Sequence, residues 1–116
     1  MALLEYETST TADLTLIRVT GELDLRGSSI LDPELERVAA ETEAPVVVLD
    51  LRGLDFLDSS GLRSVLVADA RLRRDGRRIV LIRGSQAVQR VFAVTRMEER
   101  LHFVDDERGL VGAARP

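Results

Sequence analysis

Short apolar runs alternate along the chain with longer segments in which apolar residues recur at helical spacing. The stretch Val46–Leu51 is almost wholly aliphatic, which is typical of a strand buried on both faces of a sheet. Arg77–Arg83 contains a second aliphatic run of the same kind. Five strands are predicted in all: Leu3–Glu7, Leu14–Thr20, Val46–Leu51, Arg77–Arg83 and Leu101–Val104.

Three helices and a short helical piece are predicted between and after these strands. The first helix has Leu31, Leu35, Val38 and Thr42 on one face. The second begins near Ser59-Ser60-Gly61 and runs to about Asp75-Gly76. The third begins at Ser85, and the last helical piece is Glu107–Ala113. Arg52–Asp58 is interpreted as a turn. The resulting order, ββαβαβαβα, predicts an α/β domain with a mixed, largely parallel sheet and helices packed on it.

Pro33 bears on where the first helix begins. A proline deep inside a helix costs ~3 kcal/mol, whereas at the first helical position it costs nothing. Asp32 is a preferred N-cap, so the first helix is expected to start at Asp32-Pro33 and to end near Glu43. Leu25–Leu31 would then be a loop or loose turn, loosened further by Gly27, that becomes ordered when a partner binds.

Length and composition limit the classes of function. The 116 residues suffice for a single domain, assigned to 1–116. The chain has no cysteine and one histidine, His102, which excludes disulfides, thiolate metal sites and most histidine-based catalysis. A net charge of −4 and only four aromatic residues argue against direct binding of nucleic acid. Without a signal peptide or a membrane-spanning run, a cytoplasmic domain with no membrane contact is expected. Its oligomeric state is left open.

The candidate chemistry lies where the third strand leads into the second helix. A helix N-terminus presents free N–H groups and a positive potential, so it suits an anion such as phosphate. The segment Asp58-Ser59-Ser60-Gly61 stands at this point, and its serines could accept a phosphate. Ordinary helix capping by Asp58 or serine would explain the same residues. Neither a nucleophile elbow nor a P-loop is present.

Two motifs in this chain resemble those of the STAS domain family, the bacterial anti-sigma-factor antagonists. One comprises Asp50-Leu51 followed by Phe56-Leu57-Asp58-Ser59-Ser60-Gly61-Leu62, and the other is Gly21-Glu22-Leu23-Asp24. The resemblance covers essentially the whole chain and implies a single STAS-type domain. The chain departs from the family at Gly27-Ser28, usually Thr-Ala, at Pro33, and at Arg96, often glycine.

The resemblance implies a regulatory role without catalysis or a cofactor. The unphosphorylated protein would bind an anti-sigma factor that is also a serine kinase, and so release the sigma factor. Phosphorylation of Ser59 by that kinase would end the binding, and a serine phosphatase would reverse it. Asp24 and Asp58 would support the phosphosite, together with Ser60 and Gly61 of the motif.

The second helix carries an unusual surface on one face. Arg63, Val67, Arg71 and Arg74 point the same way, so Arg63 and Val67 are candidate partner contacts with Val67 as the apolar centre. Two other functions remain open. One is a non-switching STAS scaffold in a stress-sensing or lipid-transport complex. The other is a small metal-dependent phosphoryl-transfer or nucleotide-binding enzyme that uses Asp24, Asp55 and Asp58.

Overall fold

The computed structural model describes the backbone of residues 2–113 and the side chains of residues 2–111. Its elements are β1 (Glu5–Thr10), β2 (Leu14–Leu23), α1 (Leu25–Glu41), β3 (Val46–Leu57), α2 (Ser59–Arg74), β4 (Arg78–Ile82), α3 (Gln86–Val94), a 3-10 turn (Met97–Glu99), β5 (His102–Val104), a second 3-10 turn (Glu107–Gly109) and α4 (Leu110–Ala113). The predicted order of strands and helices and the α/β class are therefore confirmed.

The five strands form one sheet in the order β1-β2-β3-β4-β5. β1 is antiparallel to β2, and the other neighbouring pairs are parallel. The short β1–β2 connection is closed by the Thr11 hydroxyl, which accepts a hydrogen bond from the Leu14 amide at 3.2 Å. The parallel pairs need longer crossovers, and α1, α2 and α3 with its following turn supply them. The sheet is therefore mixed and largely parallel, as predicted.

The two faces of the sheet are covered differently. Ile17, Leu49 and Leu81 lie in register on one face and belong to the main core, to which α1, α2 and α3 contribute their apolar sides. Val48 and Val80 lie on the other face, in a smaller cluster with Leu110 of α4. The helices therefore pack on one side, and the C-terminal segment covers the other.

β2 and β3 are longer than their apolar patterns predicted. The interpretation of Arg52–Asp58 as a turn is wrong, because β3 continues to Leu57 and β2 to Leu23. Leu54 and Leu57 are buried, and they pair with Gly21 and Leu23 of β2. Polar residues and two register shifts interrupt the pattern of apolar residues in this part of both strands. The pairing of β2 with β3 nevertheless continues to Leu23 and Leu57.

The prediction for α1 is also wrong. The helix begins at Leu25 and passes through Pro33 without interruption, so Leu25–Leu31 is helical rather than a loop. Asp24 is the N-cap, and its carboxylate accepts a hydrogen bond from the Gly27 amide at 2.8 Å. Leu31 is fully buried in the main core. Capping and burial of the first two turns outweigh the hydrogen bond that the proline removes.

Gly27 fixes the position of this helix rather than loosening it. A Cβ atom at this residue would lie 2.3 Å from the carbonyl oxygen of Glu22, so no other residue fits without a shift of the backbone. The first turn of α1 is thus packed directly against the end of β2. The expected freedom of this segment is not seen.

Candidate functional site

Two strand-to-helix junctions lie side by side at one edge of the sheet. Leu23 at the end of β2 pairs with Leu57 at the end of β3, and the Asp58 amide donates a hydrogen bond to the Leu23 carbonyl at 3.3 Å. Each strand is followed by an aspartate that caps the next helix, Asp24 for α1 and Asp58 for α2. The two sequence motifs are therefore neighbours in space.

Asp58 organises the beginning of α2. Its carboxylate accepts hydrogen bonds from the amides of Ser60 at 2.9 Å and Gly61 at 3.2 Å. Ser59 occupies the first helical position and is exposed, and its hydroxyl makes no hydrogen bond to any residue that the structure describes. Ser60 is partly buried. The cap thus leaves Ser59 as the more accessible of the two serines.

Gly61 brings α2 close to β2. A Cβ atom there would lie 2.4 Å from the carbonyl oxygen of Leu23 and 2.6 Å from the Cδ1 of Leu57. A glycine is required because the first turn of α2 lies almost against both strand ends. The Gly-Glu-Leu-Asp and Asp-Ser-Ser-Gly motifs are held together by this close approach.

A groove of about 940 Å³ lies between α1 and α2. It begins beside the two junctions, where Leu25 and Ser60 line it, and continues along both helices. One side of it is lined by Arg63, Val67, Arg71 and Arg74, so these four residues share one face of α2, as predicted. Val67 is 56% exposed, as predicted for an apolar residue that is not part of the core. Asp32 and Glu36 of α1 line the opposite side. The sequence predicts Asp32 only as the N-cap of α1, a place that Asp24 takes instead, and assigns no role to Glu36.

Asp50, which the motif includes, has a structural partner that the sequence did not reveal. It is buried on the second face of the sheet and accepts hydrogen bonds from Arg52 Nε at 3.0 Å and Arg52 Nη2 at 2.9 Å. Burial acts to raise the pKa of Asp50, but the hydrogen bonds and charge of Arg52 outweigh it and keep this pKa below its ordinary value. Arg52 also pairs with Glu107, so the network joins β3 to the C-terminal segment.

The arginines at the end of α2 and just beyond it do not all face solvent without partners. Arg73 pairs with Asp69, four residues earlier in α2, at 3.2 Å. Arg77, however, donates hydrogen bonds to the carbonyl oxygens of Ala39 and Ala44 at 3.2 and 2.8 Å. It thereby holds the end of α1 and the loop that follows, a role that no local pattern indicates.

The acidic residues considered for a metal site do not form one. Over residues 2–111, no group of three or more histidine, aspartate or glutamate side chains could hold a metal ion. The carboxylates of Asp24 and Asp58 instead cap helices. His102 is exposed on β5, away from both junctions.

A family model described as "Mlab, STAS domain" matches residues 7–109. The chain belongs to the STAS domain family. Among curated proteins, this STAS domain is 23% identical over 104 residues to an anti-sigma F factor antagonist of Paenibacillus polymyxa, covering 90% of this chain and 89% of the relative. The family recognised from the two motifs is thereby confirmed.

Solved structures share the fold of this STAS domain. An anti-sigma factor antagonist from Mycobacterium paratuberculosis superposes with a TM-score of 0.86 at 19% identity, over 97% of this chain and 95% of the other. The anti-sigma factor antagonist SpoIIAA in its unphosphorylated form gives 0.80 at 21% identity, over 94% and 96%. SpoIIAA of Bacillus in the phosphorylated form gives 0.73 at 20% identity, over 94% and 99%. Within the described part of this chain, no helix is long and apolar enough to cross a membrane.

Proposed function

We propose that this STAS domain is an anti-sigma-factor antagonist that is switched by phosphorylation of Ser59. The observation that carries the proposal is the accessibility of Ser59. Its side chain is exposed at the first position of α2, while the Asp58 carboxylate occupies the amides of Ser60 and Gly61. A kinase can therefore reach the Ser59 hydroxyl without opening the helix cap.

The charge that phosphorylation adds is well placed to change binding. A phosphate brings about −1.5 to −2 charges at neutral pH. It would stand at the positive end of the α2 dipole, which tolerates it, and next to Asp58. A partner that fits the uncharged surface would meet a concentrated negative charge there. A few kcal/mol of difference in binding free energy is enough to move the partner between bound and free states.

The partners follow from this mechanism. The unphosphorylated domain binds an anti-sigma factor that is also a serine kinase, and the bound sigma factor is released. Phosphate on Ser59 ends this complex, and a serine phosphatase restores the binding form. Asp24 and Asp58 hold the two junctions in place around Ser59, and the domain itself catalyses no reaction. It works in the cytoplasm, where sigma factors act.

The experiment is phosphorylation by the cognate anti-sigma factor kinase with ATP, followed by mass spectrometry of the peptide that contains both serines. We expect one phosphate on Ser59, none in Ser59→Ala, and normal labelling in the matched control Ser60→Ala. Ser59→Ala should bind the kinase constitutively, and Ser59→Asp should bind it weakly. Phosphate on Ser60 with Ser59 bare would contradict the assignment.

Two other functions give different results in the same assay. A non-switching STAS scaffold would bind its partner equally well whether Ser59 is serine, alanine or aspartate. A phosphoryl-transfer enzyme would label itself with radioactive nucleotide in the absence of any kinase. The exposed, unpartnered Ser59 hydroxyl favours the switched antagonist over both.

A further inference from the structure

The groove between α1 and α2 has walls of opposite charge. Arg63, Arg71 and Arg74 line the α2 wall, and Asp32 and Glu36 line the α1 wall. In a chain whose net charge is −4, this side of α2 is locally basic. Along the groove, α2 contributes only basic side chains and α1 only acidic ones. The two charges face each other because the fold places these helices side by side.

Most of these charges are not neutralised within the molecule. Among the described residues, Arg63, Arg74, Asp32 and Glu36 form no ion pair, and Arg71 pairs only with Asp75 of its own helix end. Other surface charges are paired, for example Arg83 with Asp105 at 2.9 Å. In the part of the chain that the structure describes, no ion pair joins the α1 wall of the groove to the α2 wall. It therefore presents unpaired charges of both signs to whatever lies between them.

The floor of the groove and parts of its edges consist of apolar residues. Leu35 and Ala68 are buried beneath it, while Leu25 and Val67 are 72% and 56% exposed at its edges. From Arg63 to Arg74 the α2 wall is about 16 Å long at the rise of an α-helix. Both walls are helices whose backbones are hydrogen-bonded internally, so they offer no strand edge to an extended peptide. The shape suits a helix of about three turns with one apolar face.

We infer that this groove binds a helical segment of the anti-sigma factor that has an apolar stripe flanked by acidic residues on one side and basic residues on the other. The acidic side would face α2 and the basic side α1, which fixes the direction in which the segment lies. The inference rests on the proposed function for the identity of the partner. It adds a docking surface that extends from Ser60 along both helices, beyond the phosphosite itself.

Charge reversals on the two walls test this arrangement. The probe is the anti-sigma factor kinase that phosphorylates Ser59, and its Kd for the unphosphorylated domain is measured at low and high salt. Arg63→Glu with Arg74→Glu, and separately Asp32→Arg with Glu36→Arg, should each weaken binding about tenfold at low salt. Both losses should shrink at high salt because they are electrostatic. Melting temperatures should stay near that of the wild type, since all four side chains are exposed.

Matched control variants distinguish an effect of the charge pattern in the groove from an effect of the net charge of the domain. Arg90→Glu with Arg100→Glu, and Glu98→Arg with Glu99→Arg, make the same changes at exposed residues outside the groove and should leave the Kd unchanged. A variant with all four groove residues reversed keeps the wild-type net charge and should still bind weakly. If it binds like the wild type, net charge rather than the pattern governs binding, and the inference is overturned.

Two further outcomes are decisive. If the arginine reversals weaken binding and the acidic reversals strengthen it, the partner is uniformly acidic and the proposed polarity is wrong. If the wild type binds and is phosphorylated on Ser59 while both groove variants bind as tightly, the groove is not the docking surface and the proposed function stands. Failure of the wild type itself to bind would overturn both proposals.

Discussion

Arg96 adopts a backbone conformation that favours glycine. It follows the C-cap of α3 with φ of 63° and ψ of 18°, in the left-handed region, and it is the only residue other than glycine with a positive φ among those described. For an L-residue this conformation costs about 1–2 kcal/mol. A glycine would adopt this conformation without that cost, so Arg96 makes this turn less stable than a glycine would.

Replacing Arg96 with glycine should therefore stabilise the domain. The relief of strain is partly offset by the greater entropy of glycine in the unfolded chain, so we expect a gain of about 1 kcal/mol or less in the free energy of unfolding. Urea denaturation measures it. The control is Arg90→Gly, an exposed position inside α3, where the same change should destabilise by about 1 kcal/mol. Equal effects at both positions would contradict the argument.

Glu34 links the first strand to the first helix. It is buried, and its carboxylate accepts hydrogen bonds from Thr8 Oγ1 at 2.6 Å and from Arg37 Nε and Nη2 at 2.7 and 2.8 Å. The hydrogen bond from Arg37 lowers the pKa of Glu34, burial raises this pKa, and the hydrogen bond from Thr8 lowers it. The net effect is a pKa below the ordinary value of 4.5. The ionised form is therefore the one that stabilises the fold.

This pKa shift predicts how the stability of the domain depends on pH. Since the pKa of Glu34 is lower in the folded state, its contribution is fully present above the unfolded pKa near 4.5 and is lost as pH falls through the folded pKa. Glu34→Gln should cost about 1–2 kcal/mol at pH 7. The difference from the wild type should disappear at pH values below the folded pKa. Glu41→Gln, in an exposed pair with Arg37 at 3.5 Å, is the control and should have little effect.

Helix α1 shows where sequence patterns reach their limit at the scale of an element. Local rules place its start at Pro33, because they weigh only the cost of a proline inside a helix. The structure extends it back to Leu25 because Asp24 caps the chain, Gly27 fits against Glu22 and Leu31 enters the core. The cap by Asp24 is a local contact with Gly27, but the other two gains depend on contacts with β2 and the core, which a local pattern does not contain.

The geometry of the candidate site was more predictable than this helix. Asp58, Ser59 and Gly61 lie within one short segment, so capping rules and a motif suffice to place them at the start of α2. The partner of Asp50 is only two residues away, but a predicted turn at Arg52–Asp58 does not place the two side chains on one face, as the strand does. The role of Arg77 has no local signal, because its hydrogen-bond acceptors, Ala39 and Ala44, are more than thirty residues away.

The proline itself should still weaken α1. Pro33→Ala restores an amide hydrogen that can bond to the Ser29 carbonyl, and we expect the domain to gain about 1–2 kcal/mol. Glu36→Ala, at another exposed position of the same helix, should change stability by less than ~0.5 kcal/mol. A loss of stability in Pro33→Ala would mean that the proline is needed where it stands.

The first turns of α1 should also be protected in the free domain. The Ser28 amide donates to the Asp24 carbonyl at 2.8 Å, and Ser28 and Leu31 are buried. Slow amide hydrogen exchange is expected across residues 28–31 in the wild type without any partner. Fast exchange that slows only when the anti-sigma factor binds would restore the picture of a segment that orders on binding.

At the scale of the whole molecule, the two faces of the sheet differ in how they are covered. Three helices protect the main core, whereas on the second face Val46, Val48, Val80 and Ile82 form a small cluster with Leu110. The Asp50–Arg52–Glu107 network attaches the same C-terminal segment to β3. Since β3 ends directly before Asp58 and Ser59, this segment supports the strand that leads to the proposed phosphosite.

Leu110 is therefore expected to matter more than its place near the end of the chain suggests. Leu110→Ala removes the buried side chain that covers the second cluster, and should cost about 2–3 kcal/mol in the free energy of unfolding, as for other buried leucines. The control is its neighbour Val111→Ala, which is 61% exposed and should change stability by less than ~0.5 kcal/mol. Urea denaturation measures both, and light scattering should show association of Leu110→Ala, because an uncovered apolar sheet face attracts a second copy. If both variants are as stable and monodisperse as the wild type, the C-terminal segment does not protect the second face.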